Sequence, residues 1–432
     1  MLIPLQWLKD FVDITVPVDE LTDAITRAGL EVASVKEMHI PSGIKVAKIL
    51  GLRPHPNADK LKLCDVDAGK KMTIVCGAPN VVEGMYAPLA TIGTVLSPEF
   101  TVKKAKIRGV ESSGMLCSEK ELGISDDHSG IMALSEEFEP GKELSEYFPG
   151  DSVIEIEITP DRGDCLSMLG VAREVSAVLG LPLKNTVKHP EESEGKIHDL
   201  ISVEIKNPSA CPRYLGRMVT GVTIGESPEW MKRRLREAGL RPINNVVDIT
   251  NYILLHFGHP MHAFDYDKIE QKKIIVDNAQ QGQKFMTLDE VERELISNDL
   301  LIYDGEKSVA LAGIMGGAGS AISESTTDVF LECAYFDPVT VRKTSKRLNL
   351  STDSSYRFER GVDPEQGLVD AIDTAAEFLR LYAGGTVVPG CIDECPQPLE
   401  KRTVPLRPAQ VCRLLGVTVE KDTIISYLSS LG

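Results

Sequence analysis

The stretch from Arg241 to Asp265 constrains this chain more than any other, because it joins an apolar, β-branched run to an abrupt break. The run extends from Ile243 to Ile249, and the break is Gly258-His259-Pro260. Glycine and proline on either side of a histidine stop regular structure. We therefore expect His262, just after the break, to be held on a rigid bend. Polar Thr250 and Asn251 and cationic Arg241 would lie near it. A few polar groups that converge between apolar walls are typical of a binding pocket.

The histidines of this stretch also raise the question of a metal. His256, His259 and His262 recur every third residue and Asp265 follows, a spacing that resembles a set of ligands. However, the glycine and proline of the break would interrupt any helix that aligned these side chains, and the chain contains no HExxH. We therefore expect no metal ligands here and keep a metallohydrolase as the lesser alternative.

Composition bounds the class of protein. The chain has 432 residues, a formal net charge of −17 and 42% hydrophobic residues, which is ordinary for a globular protein of three or four domains. No run of 18 apolar residues occurs, so we expect no membrane partner. The first residues lack the basic segment of a signal peptide. Nine scattered cysteines, an odd number, indicate free thiols and a cytoplasmic location.

Positive charge is concentrated in one part of this acidic chain. Residues 45–120 carry twelve Lys and Arg against seven Asp and Glu. Short strands around Val46–Leu50, Leu61–Val66 and Met72–Val75, separated by turn residues, predict a small barrel of the OB-fold type. Such barrels bind oligonucleotides, although a solvated basic face would give the same charge. The candidate contacts are Lys60, Lys62, Lys103, Lys104, Lys106 and Arg108.

The pattern of elements predicts an α+β multidomain fold. We expect residues 1–39 to be helical and to pack with residues 151–199 as a split N-terminal α/β domain. The OB-fold β-barrel, residues 40–150, would be inserted between them. Residues 200–398 predict a mixed α/β domain. Residues 399–432 look like the start of a small α/β domain at the C-terminus, truncated as in the front part of a longer protein.

Several single elements are expected within these regions. Helices are predicted over Glu20–Ala28, Ser167–Leu179 and residues 366–384, from their apolar spacing and capping residues. Residues 329–337, VFLECAYFD, predict a strand that places Glu332 among apolar neighbours. A carboxylate in such a position is costly unless it is paired or functional. Glu332 is therefore a candidate functional residue.

Several motifs carry a resemblance to a known family. HPNADKLKLCDVDAG (55–69), IVCGAPNV (74–81) and KIRGVESSGMLCSEKELG (106–123) resemble the tRNA-binding OB domain of the EMAP and methionyl-synthetase type. Together with RPINNVVDITNY, GHPMHAFD, ALAGIMGG, FLECAYF and STDSSYRFERGVDP, they make the whole chain resemble the β subunit of bacterial phenylalanyl-tRNA synthetases. In that family the counterpart of residues 200–398 is the editing (B3/B4) domain, and the counterpart of residues 399–432 begins the B5 domain.

The resemblance implies a function and partners. In that family the editing domain hydrolyses tyrosine that has been wrongly attached to phenylalanine tRNA. The β subunit works with an α subunit, which carries the aminoacylation site, in an (αβ)₂ assembly. The resemblance thus implies phenylalanine tRNA and an α subunit as partners. It implies no cofactor on this fragment, with ATP and magnesium needed by the whole synthetase. A tRNA-binding scaffold with an inactive pocket is the alternative.

The resemblance also implies an editing site. The implied catalytic residues are Arg241, Thr250, Asn251, His262 and Glu332. The implied substrate-binding residues are Pro260, Leu288, Ala312, Gly313, Gly316, Thr352 and Ser354. Glu332 would accept the phenol hydroxyl of tyrosine; phenylalanine lacks that group and would leave the buried carboxylate unpaired. His262 would orient water or the ester rather than hold a metal.

Two positions depart from the family pattern. Glu290 stands where the family usually has glycine, and Ser354 stands where alanine is common. From these departures we expect a different turn at Glu290 and an altered pocket wall at Ser354.

Overall fold

The computed structural model describes residues 1–125, 127–317, 319, 321–399, 401 and 403–432. Up to residue 150 the chain is rich in strands. Its helices and strands are β1 Leu2–Pro4, α1 Leu5–Leu8, α2 Val18–Arg27, β2 Glu31–Met38, β3 Ile44–His55, β4 Ala58–Asp67, β5 Lys71–Cys76, β6 Tyr86–Thr91, β7 Val95–Ser97, β8 Phe100–Thr101, β9 Ala105–Ile107, β10 Val110–Ser112 and β11 Gly114–Leu116.

From residue 151 onward helices and strands alternate. They are β12 Asp151–Glu157, α3 Met168–Leu179, β13 Ser202–Ile205, β14 Arg213–Thr220, α4 Glu229–Glu237, α5 Asn245–Phe257, β15 Met261–Asp265, β16 Lys273–Asn278, β17 Lys284–Met286, β18 Glu292–Glu294, β19 Leu300–Tyr303, β20 Ser308–Leu311, β21 Met315–Gly316, β22 Val329–Tyr335, α6 Pro338–Leu348, α7 Asp353–Phe358, α8 Gln366–Ala383, β23 Thr386–Val387, β24 Ile392–Glu394, α9 Pro408–Leu415 and α10 Lys421–Ser430.

Residues from both sides of the insert share one antiparallel sheet, in the order β1–β12–β2. Helix α2 begins two residues before its predicted start and ends one residue before its predicted end. Helix α3 begins after Ser167, whose hydroxyl accepts from Gly170 N at 2.9 Å. The helical prediction for residues 1–39 was wrong over β2. Most of β2 is exposed and its partner β12 is far along the chain, so no local alternation marks it.

The insert contains an antiparallel sheet in the order β11–β6–β3–β4–β5. The three predicted strands lie inside β3, β4 and β5, which run further than the turn residues suggested. Strand β3 continues through Pro54 because its register shifts there, which accommodates a residue without a backbone donor. Within the described residues the pairing of these strands does not close into a barrel, so the predicted OB-fold β-barrel is not confirmed as a closed one.

Two five-stranded sheets form the large region. One has the order β13–β16–β19–β20–β21, and the other has the order β15–β22–β14–β23 with β24 also paired to β14. Helices α5 and α8 share a hydrophobic core with one face of the second sheet, where Leu215 and Leu331 lie. Its other face, with Met218 and Phe330, shares a core with the first sheet. The second sheet is therefore covered on both faces.

This double cover explains the sequence of β22. Val329, Leu331 and Cys333 face the helices, whereas Phe330 and Ala334 face the other sheet, so almost every residue is apolar. Glu332 follows the same alternation and points between the two sheets. The strand predicted over residues 329–337 is confirmed from Val329 to Tyr335 and ends two residues early.

The prediction that His262 lies on a bend was wrong. Gly258 ends α5 in the left-handed region, with φ of 81°. The chain then enters β15 directly, and His262 pairs with Glu332 of β22 in that ladder. Only three residues therefore separate α5 from β15.

The last residues stand apart from these cores. Helices α9 and α10 contain no buried residue. Glu400 and Arg402, which belong to the predicted C-terminal domain, lie outside the described residues. None of the helices in the described ranges combines the length and apolarity needed to cross a bilayer.

A buried aromatic contact joins the N-terminal residues to α5. The indole nitrogen of Trp7 donates to His256 Nδ1 at 2.9 Å, and Thr186 Oγ1 lies 2.8 Å from His256 Nε2. Because an indole can only donate, Nδ1 is the acceptor, and the proton of the neutral ring is on Nε2. Burial, together with the charge of Arg234, lowers the pKa of His256 to about 3.

We expect His256→Gln to weaken the fold and to change its response to acid. The unfolded chain protonates this histidine below about pH 6.5, whereas the folded chain does so only near pH 3, so stability falls as the pH drops through that window. Glutamine keeps a donor and an acceptor but does not titrate. The free energy of unfolding at pH 7 should fall by about 1–3 kcal/mol, and its decline toward pH 4 should be shallower.

Urea unfolding at pH 7 and pH 4.5 measures both effects. His198→Gln, at an exposed position, is the control and should change neither. If His256→Gln and the parent chain lost stability equally between these pH values, His256 would not be a buried neutral imidazole.

Candidate functional site

A cavity of about 210 Å³ lies between the two sheets of the large region. Its wall brings together many of the residues that the sequence singled out: Pro260, His262, Leu288, Gly313, Gly316, Glu332 and Ser354. Two others support the wall from behind. Ala312 is buried, and the hydroxyl of Thr352 donates to the Ile314 carbonyl at 2.8 Å.

Glu332 is the acidic group of this cavity. It is only 6% exposed, and the hydroxyl of Tyr214 donates to its Oε2 at 2.8 Å. Burial raises the pKa of Glu332 to about 7, and the hydrogen bond from Tyr214 opposes that rise. The carboxyl group thus changes its charge near neutral pH, and it is held at one oxygen while it lines the cavity.

His262 lies directly opposite Glu332 in the β15–β22 ladder. Its Nε2 is buried and has no hydrogen-bond partner among the described residues. Burial lowers the pKa of His262 to about 4, so the ring is neutral at pH 7. The ring packs edge-on against Phe264, with ring centroids 4.4 Å apart. A neutral imidazole with an unsatisfied nitrogen can exchange a hydrogen bond with a ligand or a water molecule in the cavity.

The loop that carries Leu288 covers one side of the cavity. Leu288 N donates to Gly316 O at 3.0 Å, which holds this loop against β21. Glu290 has φ of 60°, the left-handed region that glycine favours. The glutamate therefore occupies a glycine-type turn, and the substitution does not require a different backbone.

Three further residues of the predicted site lie away from this cavity. Thr250 and Asn251 lie on α5, whose core faces the opposite side of the second sheet from Glu332. The hydroxyl of Thr250 donates to Val247 O at 2.8 Å. Arg241 is exposed and lines a separate cavity of about 1260 Å³ between the insert and α4. There, hydrogen bonds from Ser129 and the charge of Arg241 lower the pKa of Asp127.

Sequence reasoning missed Tyr214. It is fully buried in β14 and provides the hydrogen bond to Glu332. No local signal identifies it, since a tyrosine in a mostly apolar strand is ordinary and its partner is 118 residues away. Only the pairing of β14 with β22 shows that the two side chains share a face.

Possible metal ligands were also compared with the structure. Asp164, Cys165 and Glu174 lie close enough together to hold an ion. However, the guanidinium of Arg162 lies 2.7 Å from Asp164 Oδ2 and 2.5 Å from Glu174 Oε1. Because a cationic side chain already pairs with these carboxylates, the cluster is a structural ion pair. The histidines around the Gly-Pro break do not form such a group within the described residues.

The predicted basic residues lie on β4 and in and around the short β9–β10 hairpin of the insert. Lys60 and Lys62 are on β4, and Lys106 is on β9 in the short β9–β10 hairpin. Two side chains of the β3–β4 turn hold this hairpin: His55 Nε2 lies 3.1 Å from Ile107 O, and Asn57 Nδ2 donates to Arg108 O at 3.0 Å.

Not every cation on this surface is free. Lys62 Nζ donates to Val81 O at 3.2 Å, and Lys104 pairs with Glu111 at 2.9 Å. Lys103 and Arg108 are exposed, and Arg108 forms the hairpin tip with φ of 44°.

We expect Gly316→Ala to disturb the cavity wall. A Cβ at this position would lie 2.7 Å from His262 Cε1 and 3.1 Å from Leu288 Cδ1, so one of these side chains must move. Overpacking of this kind costs about 1–3 kcal/mol. The measurements are urea unfolding and the imidazole resonances of His262. Gly319→Ala, where nothing lies within 4 Å of a new Cβ, is the matched control. An unchanged His262 signal in Gly316→Ala would contradict the described packing.

Two families of domains match the chain. The B3/4 domain matches residues 210–384, which contain the cavity. The family described as "Putative tRNA binding domain" matches residues 44–143, which contain the basic surface.

Curated relatives match the chain from end to end. Phenylalanine–tRNA ligase beta subunits are 46% identical over 436 residues in Syntrophus aciditrophicus and 47% identical over 436 residues in Geobacter metallireducens. Each alignment covers 100% of this chain and 54% of the relative, so the chain spans about half the length of the curated relatives it matches. An N-terminal fragment of the phenylalanyl-tRNA synthetase beta subunit from Pyrococcus horikoshii is a distant structural match. It has a TM-score of 0.37 and 12% identity, and the match covers 100% of this chain and 88% of that one. By its relatives, this chain belongs to the family of phenylalanine–tRNA ligase beta subunits.

Proposed function

We propose that this chain binds tRNA and hydrolyses tyrosine that has been mischarged onto phenylalanine tRNA, as part of a phenylalanyl-tRNA synthetase. The observation that carries the proposal is the buried carboxylate of Glu332 on a small cavity, opposite the unpaired nitrogen of His262. In this proposal an α subunit performs the ATP- and magnesium-dependent aminoacylation within an (αβ)₂ assembly in the cytoplasm. This chain supplies editing and tRNA binding.

The cavity suits a small aromatic ligand. Its volume of about 210 Å³ is below the range for drug-sized ligands, so it admits a group no larger than an amino-acid side chain. Apolar residues such as Ile302 and Phe358 line much of it, with Glu332 as the acidic group. A ring that carries one hydroxyl group matches this combination.

Glu332 accounts for selectivity. A tyrosyl hydroxyl that enters the cavity can donate to the second oxygen of the carboxylate, whereas a phenylalanyl ring leaves that oxygen buried and without a donor. A site built to hydrogen-bond a hydroxyl rejects the analogue that lacks it, because the unpaired group costs free energy. The resulting preference is for the tyrosyl ester, the wrong product of the synthetase.

His262 acts at the ester in this proposal. A neutral ring can accept a hydrogen bond at an unprotonated nitrogen and thus orient a water molecule toward the ester carbonyl. Gly316 leaves room beside the ring, since a side chain there would meet it. The catalytic roles of Arg241, Thr250 and Asn251 have only the family resemblance as support, because none of them lines the cavity.

We further propose that the insert is an OB-type unit that binds tRNA. Its strand order is that of a partly open Greek-key barrel, and Ser113 N donates to Thr73 O at 3.3 Å across the gap between β5 and the start of β11. In OB folds the loops between the first two and the last two strands bind oligonucleotides. Here those loops are joined by the contacts of His55 and Asn57 with the hairpin.

Two substitutions test the editing proposal. Glu332→Ala removes both the attraction to tyrosine and the penalty on phenylalanine, so it should reduce discrimination more than hydrolysis. A charge-assisted hydrogen bond contributes about 1.5–3 kcal/mol, which corresponds to a roughly 10- to 150-fold preference. His262→Ala should instead slow hydrolysis and leave the preference largely intact.

The measurement is deacylation of tyrosyl- and phenylalanyl-tRNA by each variant and by the parent chain. Leu381→Ala, an exposed position on α8, is the control for nonspecific effects. A parent chain that binds tRNA but hydrolyses neither ester would be a scaffold. Loss of hydrolysis on dialysis against a chelator would instead favour a metallohydrolase. Retention of the full tyrosine preference by Glu332→Ala would mean that this carboxylate does not select the substrate.

The basic surface yields a separate prediction. Affinity for tRNA should fall steeply as salt rises, because phosphate contacts release counterions. Lys106→Ala and Arg108→Ala should each reduce the slope of log affinity against log salt by about 1. Lys343→Ala, exposed on α6, should leave the slope unchanged. Filter binding between 50 and 200 mM salt measures the slope, and a salt-independent affinity would rule out phosphate contacts.

A further inference from the structure

Tyr214 holds the carboxylate of Glu332 in a way that bears on ligand recognition. The side chain is fully buried, and its hydroxyl donates to Glu332 Oε2 at 2.8 Å. This is the one hydrogen bond that the structure records for the Glu332 side chain among the described residues. Glu332 nevertheless lines the cavity, so its second oxygen is available to a ligand.

The sheet places the two side chains together. In the β14–β22 ladder Glu332 is opposite Gly216, and Tyr214 is two residues before Gly216 on the same face. Gly216 cannot carry a side chain, because a Cβ there would lie 2.5 Å from the ring of Phe330. No side chain from the directly opposite position therefore separates Glu332 from Tyr214.

We propose that Tyr214 is the positioning residue for discrimination in this cavity: it fixes one oxygen of Glu332 and directs the other toward the hydroxyl of the ligand. This inference rests on the proposed editing function and adds to it a residue that the comparisons do not assign. Tyr214 itself does not touch the ligand; it acts through Glu332.

The surrounding charges support this role. The titratable groups that face Glu332 are Tyr214 from β14, His262 from β15 and Cys211 from the segment before β14, and Cys333 is its neighbour on β22. Burial raises the pKa values of Tyr214, Cys211 and Cys333 and lowers that of His262, so all four are uncharged at neutral pH. The hydroxyl of Tyr214 is thus the group that favours the ionised carboxylate.

A tyrosine with a purely structural role would also form a hydrogen bond when buried. The two roles differ in what they predict for Glu332. If Tyr214 positions and ionises the carboxylate, then its removal must raise the pKa of Glu332, because burial is then unopposed. A phenol that only fills space would leave that pKa unchanged.

The test is Tyr214→Phe, with Tyr266→Phe as the matched control. Tyr266 donates to a backbone carbonyl, Leu200 O, at 2.8 Å, and does not line the cavity. Two quantities are followed from pH 6 to 9: the ratio of tyrosyl- to phenylalanyl-tRNA hydrolysis, and the carboxyl infrared band that Glu332→Gln removes.

In Tyr214→Phe the midpoint of both curves should move up by about one to two pH units, the range expected for one hydrogen bond to a charged group. Discrimination at pH 7 should fall by roughly 10-fold or more and recover at higher pH. Tyr266→Phe should match the parent chain. The double variant Tyr214→Phe/Glu332→Gln should discriminate no worse than Glu332→Gln alone, since Tyr214 acts through the carboxylate.

Three results would overturn the inference. An unshifted infrared titration in Tyr214→Phe would show that the phenol does not control the carboxyl, whether or not the chain edits. A shifted titration with unchanged discrimination would separate Tyr214 from selectivity while leaving the proposed function intact. Failure of the parent chain to hydrolyse either ester would remove the proposed function and this inference with it. If Tyr214→Phe does not fold, Tyr214→Leu, which also removes the hydroxyl and does not overpack the buried site, is measured in the same way.

Discussion

The carboxylate of Glu332 lies in a strand that is covered on both faces, and the large region has to compensate for the cost of placing it there. Moving a charged group from water into a protein interior is strongly unfavourable unless hydrogen bonds replace its solvation. Tyr214 replaces part of it, and the cavity leaves the rest to a ligand or water. An apolar residue would serve the core better at this point. Under the proposed function, ligand recognition rather than stability accounts for this carboxylate.

The rest of the large region keeps this arrangement in place. Strand β22 is paired on one side with β15, which presents His262, and on the other with β14, which presents Tyr214. Helices α5 and α8 fill the opposite face and exclude water from it. The small residue Gly316 keeps the space beside His262 open. In the proposed function, selectivity and hydrolysis thus belong to neighbouring strands of one sheet.

The N-terminal residues connect this region to the basic insert. Strands from both sides of the insert share the β1–β12–β2 sheet, and Trp7 bonds to His256 of α5. An ion pair between Arg236 of α4 and Glu119 of the insert, 2.9 Å long and largely buried, adds a second contact. Removing one partner of a buried ion pair costs much more stability than the intact pair contributes. These contacts link the basic insert to the region that contains the cavity.

Local pattern was enough to predict several elements of this protein. The apolar periodicity of α3 and α8, the alternation of β3 to β5 and the apolar run of β22 each depend on neighbours along the chain, and all are present. The acidic residue in an apolar strand also marked Glu332 as unusual without any structure.

Tertiary contacts decided the rest. Strand β2 forms only because β12 is available, His262 is on a strand because β22 pairs with it, and Thr250 and Asn251 are directed away because α5 covers the other face. Tyr214 shows the limit most clearly. Its hydroxyl matters only because strand pairing brings it to a carboxylate 118 residues away, and the sequence alone does not show which strands pair.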